Sequence, residues 1–257
     1  MIIILIVILF LLMTIIGGER GSKSFFTLMI NAFVGIVSLY LIALGVHPLP
    51  VMVGSSCLLC LFTIVYQNGC NKKTAACFLA VGAVIILTSI LIYYICANGH
   101  ITGFSEIELQ EEDTPYLGSG VGFKMRYVLL TAMIWCQLGA IVDTSMAIAS
   151  SLNEIHFHNP HFPMKQLYHE GMNIGKDILG TTINTLFFVS LGESLMLYLY
   201  YETYQYSLIR IINSSSFAQT MFPVLLPCIG CILIIPLTAI IFSLLVTYRP
   251  DKSANHT

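Results

Sequence analysis

The chain has 257 residues, of which 57% are hydrophobic and 9% charged, with a mean hydropathy of +0.86. A soluble domain carries about 25% charged residues, so a secreted disulfide domain, a disordered chain and an ordinary cytosolic enzyme are excluded. The formal net charge of −2 leaves no electrostatic footprint for nucleic acid. What remains is an all-α, polytopic transmembrane helix bundle, expected to form a single integral membrane domain over 1–257 with the lipid bilayer as its first partner.

A spanning helix needs about 20 apolar residues. Seven segments meet that need approximately: 1–16, 24–45, 49–66, 74–97, 125–150, 178–201 and 222–248. The first has no positive region before its apolar run, and Gly17-Gly18-Glu19-Arg20 follows it in place of a cleavage site. It therefore reads as a retained helix. The longest polar stretches are 98–123, 151–177 and 202–221. Within the first of them, residues 105–113 alternate apolar and acidic side chains, which suits a solvated loop somewhat better than a short interfacial helix.

Lys and Arg set orientation. With the N-terminus outside, Arg20, Lys23, Lys72, Lys73, Lys165, Lys176, Arg249 and Lys252 lie inside, and Lys124, Arg126 and Arg210 lie outside. Eight against three predicts an N-out, C-in protein of about seven spans in the cell membrane.

Ionisable groups within spans are expensive and usually functional. Asp143 lies in the inner half of the fifth segment, with Gly139, Ala147 and Ser150 on its face of the helix. Small residues admit a second backbone, so Asp143 is expected to face a helix partner or a wet cavity. In the sixth segment Asp177, Thr181 and Asn184 follow i, i+4, i+7 spacing and form one stripe. Asn184 falls at a depth similar to that of Asp143, and the two are candidates to meet. Glu193 projects about 180° away from Asn184, as a proton or cation ligand or as a hydrogen-bonded core acid. A helix polar on two sides is expected to be buried among neighbours.

Other features carry less. His156, His158 and His161 crowd one inner loop, where neutral imidazoles are possible metal ligands with Glu154. Their spacing matches no structural zinc motif, and a solvated His-rich loop is the favoured reading. Cys57/Cys60 and Cys228/Cys231 are CxxC pairs inside predicted helices, read as small core residues in preference to a soft-metal site. Gly171 and Gly175 spell GxxxG, but ahead of the predicted span, which gives them little weight in dimerisation. Pro227 and Pro236 are expected to bend a seventh helix packed against protein. No Walker loop, Ser/His/Asp set or Gly-x-Gly-Asp pattern is present, so no enzyme and no cofactor is expected.

The run Leu138-Gly139-Ala140-Ile141-Val142-Asp143-Thr144-Ser145 through Ser150, the run from Gly171 to Leu186, and the late Pro236-Leu237-Thr238-Ala239 resemble the YibE/F-like family of bacterial multipass membrane proteins. The length resembles its shorter, YibF-like type. The resemblance implies a membrane protein without an established activity and, as partner, a longer YibE-like paralogue. It carries over to Asp143, Asp177, Thr181 and Asn184. Glu193 and the histidines depart from the family pattern.

Two functions are weighed. One is a transporter or permease subunit for an ion or small solute, with Asp143 as the protonatable or cation-binding group, Asn184 and Thr181 as neutral ligands and Asp177 at the inner mouth. The other is a non-transporting accessory, scaffold or sensor protein acting with the paralogue, its polar residues serving as interhelical glue.

Overall fold

The computed structural model describes residues 1–98 and 125–248. The acidic segment 105–113, Lys124, Arg249 and Lys252 lie outside the described residues. The described chain is helical: α1 (Ile2–Ala43), α2 (Pro48–Cys60) continuing as a π-helix (Leu61–Tyr66), α3 (Lys72–Asn98), α4 (Met125–His158), α5 (Met164–Thr203), a short α6 (Leu208–Ile212) and α7 (Ser215–Tyr248).

Six of these helices are long and apolar enough to cross a bilayer. The first contains two of the seven expected segments, because it doubles back on itself. Gly18 adopts φ 56°, ψ −135°, a conformation closed to most L-residues. The rings of Phe10 and Phe25 then meet at 4.9 Å, where an unbroken helix would hold them about 22 Å apart. Gly21 lies directly against the Met13 carbonyl oxygen, with no room for a Cβ. The glycines therefore make the bend, and Glu19, Arg20 and Lys23 occupy it. Lys23 Nζ donates to Glu19 Oε1 at 2.8 Å.

The ends of the helices group as the charge pattern predicts. At the basic end, Gln67 beyond the π-helix donates to Ser24 beside the α1 bend at 2.8 Å. The start of α3 and the last turns of α4 and α7 line one cavity there. At the opposite end, the rings of His47 and Tyr127 approach to 4.8 Å, joining the starts of α2 and α4. Tyr200, Tyr201, Tyr204 and Tyr206 cluster there too, with the Arg210 guanidinium 4.0 Å above the Tyr206 ring. Tyrosine bands of this kind sit at the headgroup level of bilayers.

Helix α4 is central and packs on α2, α3, α5 and α7. Ile141, Ile148 and Leu152 of α4, Val81 of α3 and Ile234 and Phe242 of α7 are among its fully buried core residues. Pro223, Pro227 and Pro236 all lie inside α7, which continues through them as one helix packed within the bundle. Neighbouring helices make such prolines tolerable in a membrane.

Helix α5 departs most from expectation. It begins at Met164, so the predicted inner loop 151–177 shrinks to residues 159–163. The reason lies in the glycine pair placed ahead of the span. Gly171 seats against Ala239 Cβ and Leu152 Cδ1, 2.8 and 2.9 Å from where its own Cβ would stand, and Gly175 seats against Ile235. GxxxG thus works within the chain, bringing α5 onto α7 and α4. The helix is also not enclosed: its most apolar window is only 11% buried. One narrow ridge through Leu167, Gly171, Gly175, Ser190, Leu197 and Tyr201 is buried. The expected burial of both polar faces is not what the fold provides.

Candidate functional site

The polar residues of α4 divide between two faces. One face is closed. Gln137, fully buried, donates from Nε2 to Thr88 Oγ1 on α3 at 2.7 Å. Ser145 and Thr238 of α7 share a 2.8 Å hydrogen bond, and Thr144 Oγ1 donates to Cys231 Sγ at 3.6 Å. Trp135 Nε1 donates to Ser55 Oγ of α2 at 3.1 Å. Each contact ties α4 to a different neighbour or depth. Hydrogen bonds of this type in membranes average about 0.6 kcal/mol, so they fix register more than they supply stability. Gln137 Oε1 has no partner among the described residues and points towards Gly230.

The second face is open. Ala132, Cys136, Gly139, Asp143 and Glu154 are exposed at helical spacing, with Ala147 and Ser150 half-buried between them. Asp143 lies about 22 Å from the α4 terminus, well inside a 34-residue helix. No hydrogen bond or ion pair among the described residues involves Asp143. A Cβ added at Gly139 on α4 or at Gly180 on α5 would meet nothing within 4 Å. Small residues therefore leave open space beside α4 at Gly139 and beside α5 at Gly180.

The contact between Leu152 and Gly171 fixes the depth of the α5 candidates, since the two helices run antiparallel. Nine residues from each contact point, or about 14 Å, Asp143 stands level with Gly180. Asp177 and Asn184 fall within about 6 Å of that level on either side, with Thr181 between them. The structure thus brings Asp143, Asp177, Thr181 and Asn184 to one depth. It does not join them. All four are exposed, and no hydrogen bond links Asp143 to Asn184. Thr181 Oγ1 turns back to the Ile178 carbonyl at 2.8 Å. Glu193, also exposed, stands apart, about 20 Å beyond Asp143 and within electrostatic range of Cys136.

The histidines do not assemble. His156 and His158 belong to the last turn of α4, and His161 lies exposed in the tight turn that follows. His158 Nε2 is 3.4 Å from Glu154 Oε1 one turn away, while His156 contributes to the wall of the basic-end cavity. Among the described residues no three His, Cys, Asp or Glu side chains are placed to hold a metal ion. Splitting the run between a helix end and a turn is what separates the candidate ligands. The seven described cysteines are free thiols.

Sequence reasoning passed over Gln137 and Thr88. Both were visible as polar residues in apolar runs, but a search weighted towards ionisable groups does not select an amide or a hydroxyl.

A family model described as YibE/F-like protein matches residues 5–248. No curated protein matches the chain, and no solved structure matches it.

Proposed function

The chain belongs to the YibE/F-like family, and from that premise we propose that it is a subunit of a membrane transport assembly for an ion or small solute in the cell membrane. In this reading the α4–α5 surface is closed by another membrane protein, and the pathway runs along the junction. The observation that carries it is Asp143: a carboxyl group deep in a spanning helix, exposed, without a hydrogen-bond or ion-pair partner among the described residues, and flanked by open space at Gly139.

Magnitudes favour a covered site. A charged Asp near the centre of a membrane helix costs about 3 kcal/mol when it faces lipid. An interhelical hydrogen bond returns about 0.6 kcal/mol. Glue within one chain would not justify the residue, and it forms no such bond among the described residues. A pathway that supplies water or a cation to Asp143, with Thr181 and Asn184 as neutral oxygen donors at the same depth and Asp177 nearer the basic end, accounts for all four. A longer YibE-like paralogue is the partner we favour. The chain's own role is binding and passage, without catalysis of a reaction.

The competing reading, an accessory or scaffold protein, draws support from the same fact that the polar set lies on an outer surface and not around an internal cavity. Total-element mass spectrometry of cells separates the two. Wild type, a deletion and Asp143→Asn are compared at matched protein level under several metal and salt loads. Transport predicts that one element shifts in the deletion and that Asp143→Asn copies the shift. An unchanged element profile in the deletion removes ion transport and leaves the accessory role or an organic solute.

A further inference from the structure

The turn that joins α5 to α7 differs in kind from the turns at the basic end. Those expose Gly69, Cys70 and Asn71, and Asn159, Pro160 and His161. The α5–α7 turn exposes Leu208 and Ile209 at 76% each and Ile212 at 66%. All three belong to α6 and fall within about 100° of one another round its axis, with Arg210 about 150° from their centre. The Arg210 guanidinium is folded onto the Tyr206 ring, 4.0 Å above it. A helix of five residues does not form on propensity alone, so the turn around it must hold it.

That turn is well held. At the end of α5, Gln205 adopts φ 51°. Its N–H donates to the Glu202 carbonyl at 3.2 Å, and the Tyr206 N–H donates to the Tyr201 carbonyl at 3.0 Å. This pair of bonds is the Schellman arrangement, and its customary apolar contact is supplied by the Tyr201 and Tyr206 rings, 5.3 Å apart. Ser207 Oγ caps α6 by accepting from Arg210 N at 3.4 Å. Tyr201 Oη and Ser214 Oγ share a 2.6 Å hydrogen bond that ties the two ends of the turn together. The segment is therefore fixed where two spanning helices end, and it presents three aliphatic side chains outward.

An apolar patch rimmed by polar groups marks a membrane or a protein contact. The tyrosines decide between them. Tyr200, Tyr204 and Tyr206 ring the same turn, and tyrosine sits at the headgroup level of bilayers. Aliphatic side chains beside that level reach hydrocarbon, and a cation on the opposite side of the helix reaches the polar layer.

We propose that α6 is an interfacial anchor: Leu208, Ile209 and Ile212 lie among the acyl chains of the leaflet opposite the basic end, and Arg210 with Tyr206 stays at its headgroups. The partner of this surface is the lipid itself. The anchor is independent of the transport reading, since it shares no residue with the Asp143 face.

Fluorescence quenching of the full chain in lipid nanodiscs tests it. The chain has one tryptophan, Trp135, so the wild type supplies the background that is subtracted from I209W. The probes are phosphatidylcholine brominated in its acyl chains and aqueous iodide. At an insertion of about 5–10 Å, brominated lipid should remove about half of the added emission or more, and iodide almost none. K165W, at an exposed position of the basic end, is the reference for water and should show the reverse. L208W, at equal exposure, repeats the measurement should I209W fail to fold. Quenching of position 209 by iodide and not by brominated lipid would overturn the proposal and place α6 in water. Protection from both quenchers would overturn it as well, and would mark a face covered by protein.

Discussion

Helix α4 treats its two polar faces in opposite ways. On the inward face, Gln137, Thr144 and Ser145 each find a side-chain partner on α3 or α7. On the outward face, Asp143 finds none among the described residues, and the residues one turn to either side of it, Gly139 and Ala147, are small. Apart from Gln137 Oε1, the inward face satisfies the rule that polar groups in lipid must be paired within the protein. At Asp143 the outward face does not satisfy it among the described residues. That difference separates residues that hold the bundle from residues that await something outside it, a distinction composition cannot draw because both faces lie on one helix.

The sharpest way to break the comparison is steric. Gly175→Leu drives a side chain into Ile235 and should cost about 1–3 kcal/mol or more, seen as lost membrane-extracted protein and a lower thermal midpoint. Gly139→Leu, into open space, should leave the midpoint unchanged while abolishing the element phenotype of the wild type. Equal damage from both would place Gly139 in a packed interface of the chain itself.

A smaller effect tests the inward face. Gln137→Leu keeps volume and removes the hydrogen bond to Thr88 together with the unpaired Oε1. The loss should be about 0.6 kcal/mol and no more than about 1.7 kcal/mol, measured by unfolding in mixed micelles. Smaller still, Asp143→Asn should change stability by less than about 0.5 kcal/mol, because it makes no hydrogen bond or ion pair among the described residues. A large drop in its midpoint would return Asp143 to the class of glue.

The smallest effect belongs to the α1 bend. Lys23 beside Glu19 holds that carboxyl below the usual carboxylate range. A depressed folded-state value means the contribution is present above the ordinary Glu range and fades as pH falls through the folded value. Exposed pairs contribute little, so Glu19→Gln should leave the midpoint at neutral pH essentially unmoved and flatten only its acid limb.

Much of the architecture was legible because lipid narrows the choices. Apolar length located each span, and Gly17-Gly18 followed by Arg20 and Lys23 marked the α1 bend. The N-terminal extension of α5 was not legible by hydropathy, since Lys165, Glu170 and Lys176 interrupt it. Gly171 and Gly175 were the signal, readable only once Ala239 and Ile235 are known to face them. The candidate polar set was legible as residues and as a common depth. Its outward direction was not, because small neighbours such as Gly139 are equally consistent with a helix of the same chain or of another. The histidine run misled in a simpler way: residues close in sequence were divided by the end of α4.

The central claim is that a second membrane protein covers the open face of α4. A photo-reactive residue at position 136, on the exposed stripe one turn from Gly139, tests it in intact membranes, with position 86 on α3 as the lipid-facing reference, since Ile86 is 65% exposed. The account predicts one discrete protein adduct from position 136 and lipid adducts alone from position 86. Lipid adducts alone from both positions would contradict it.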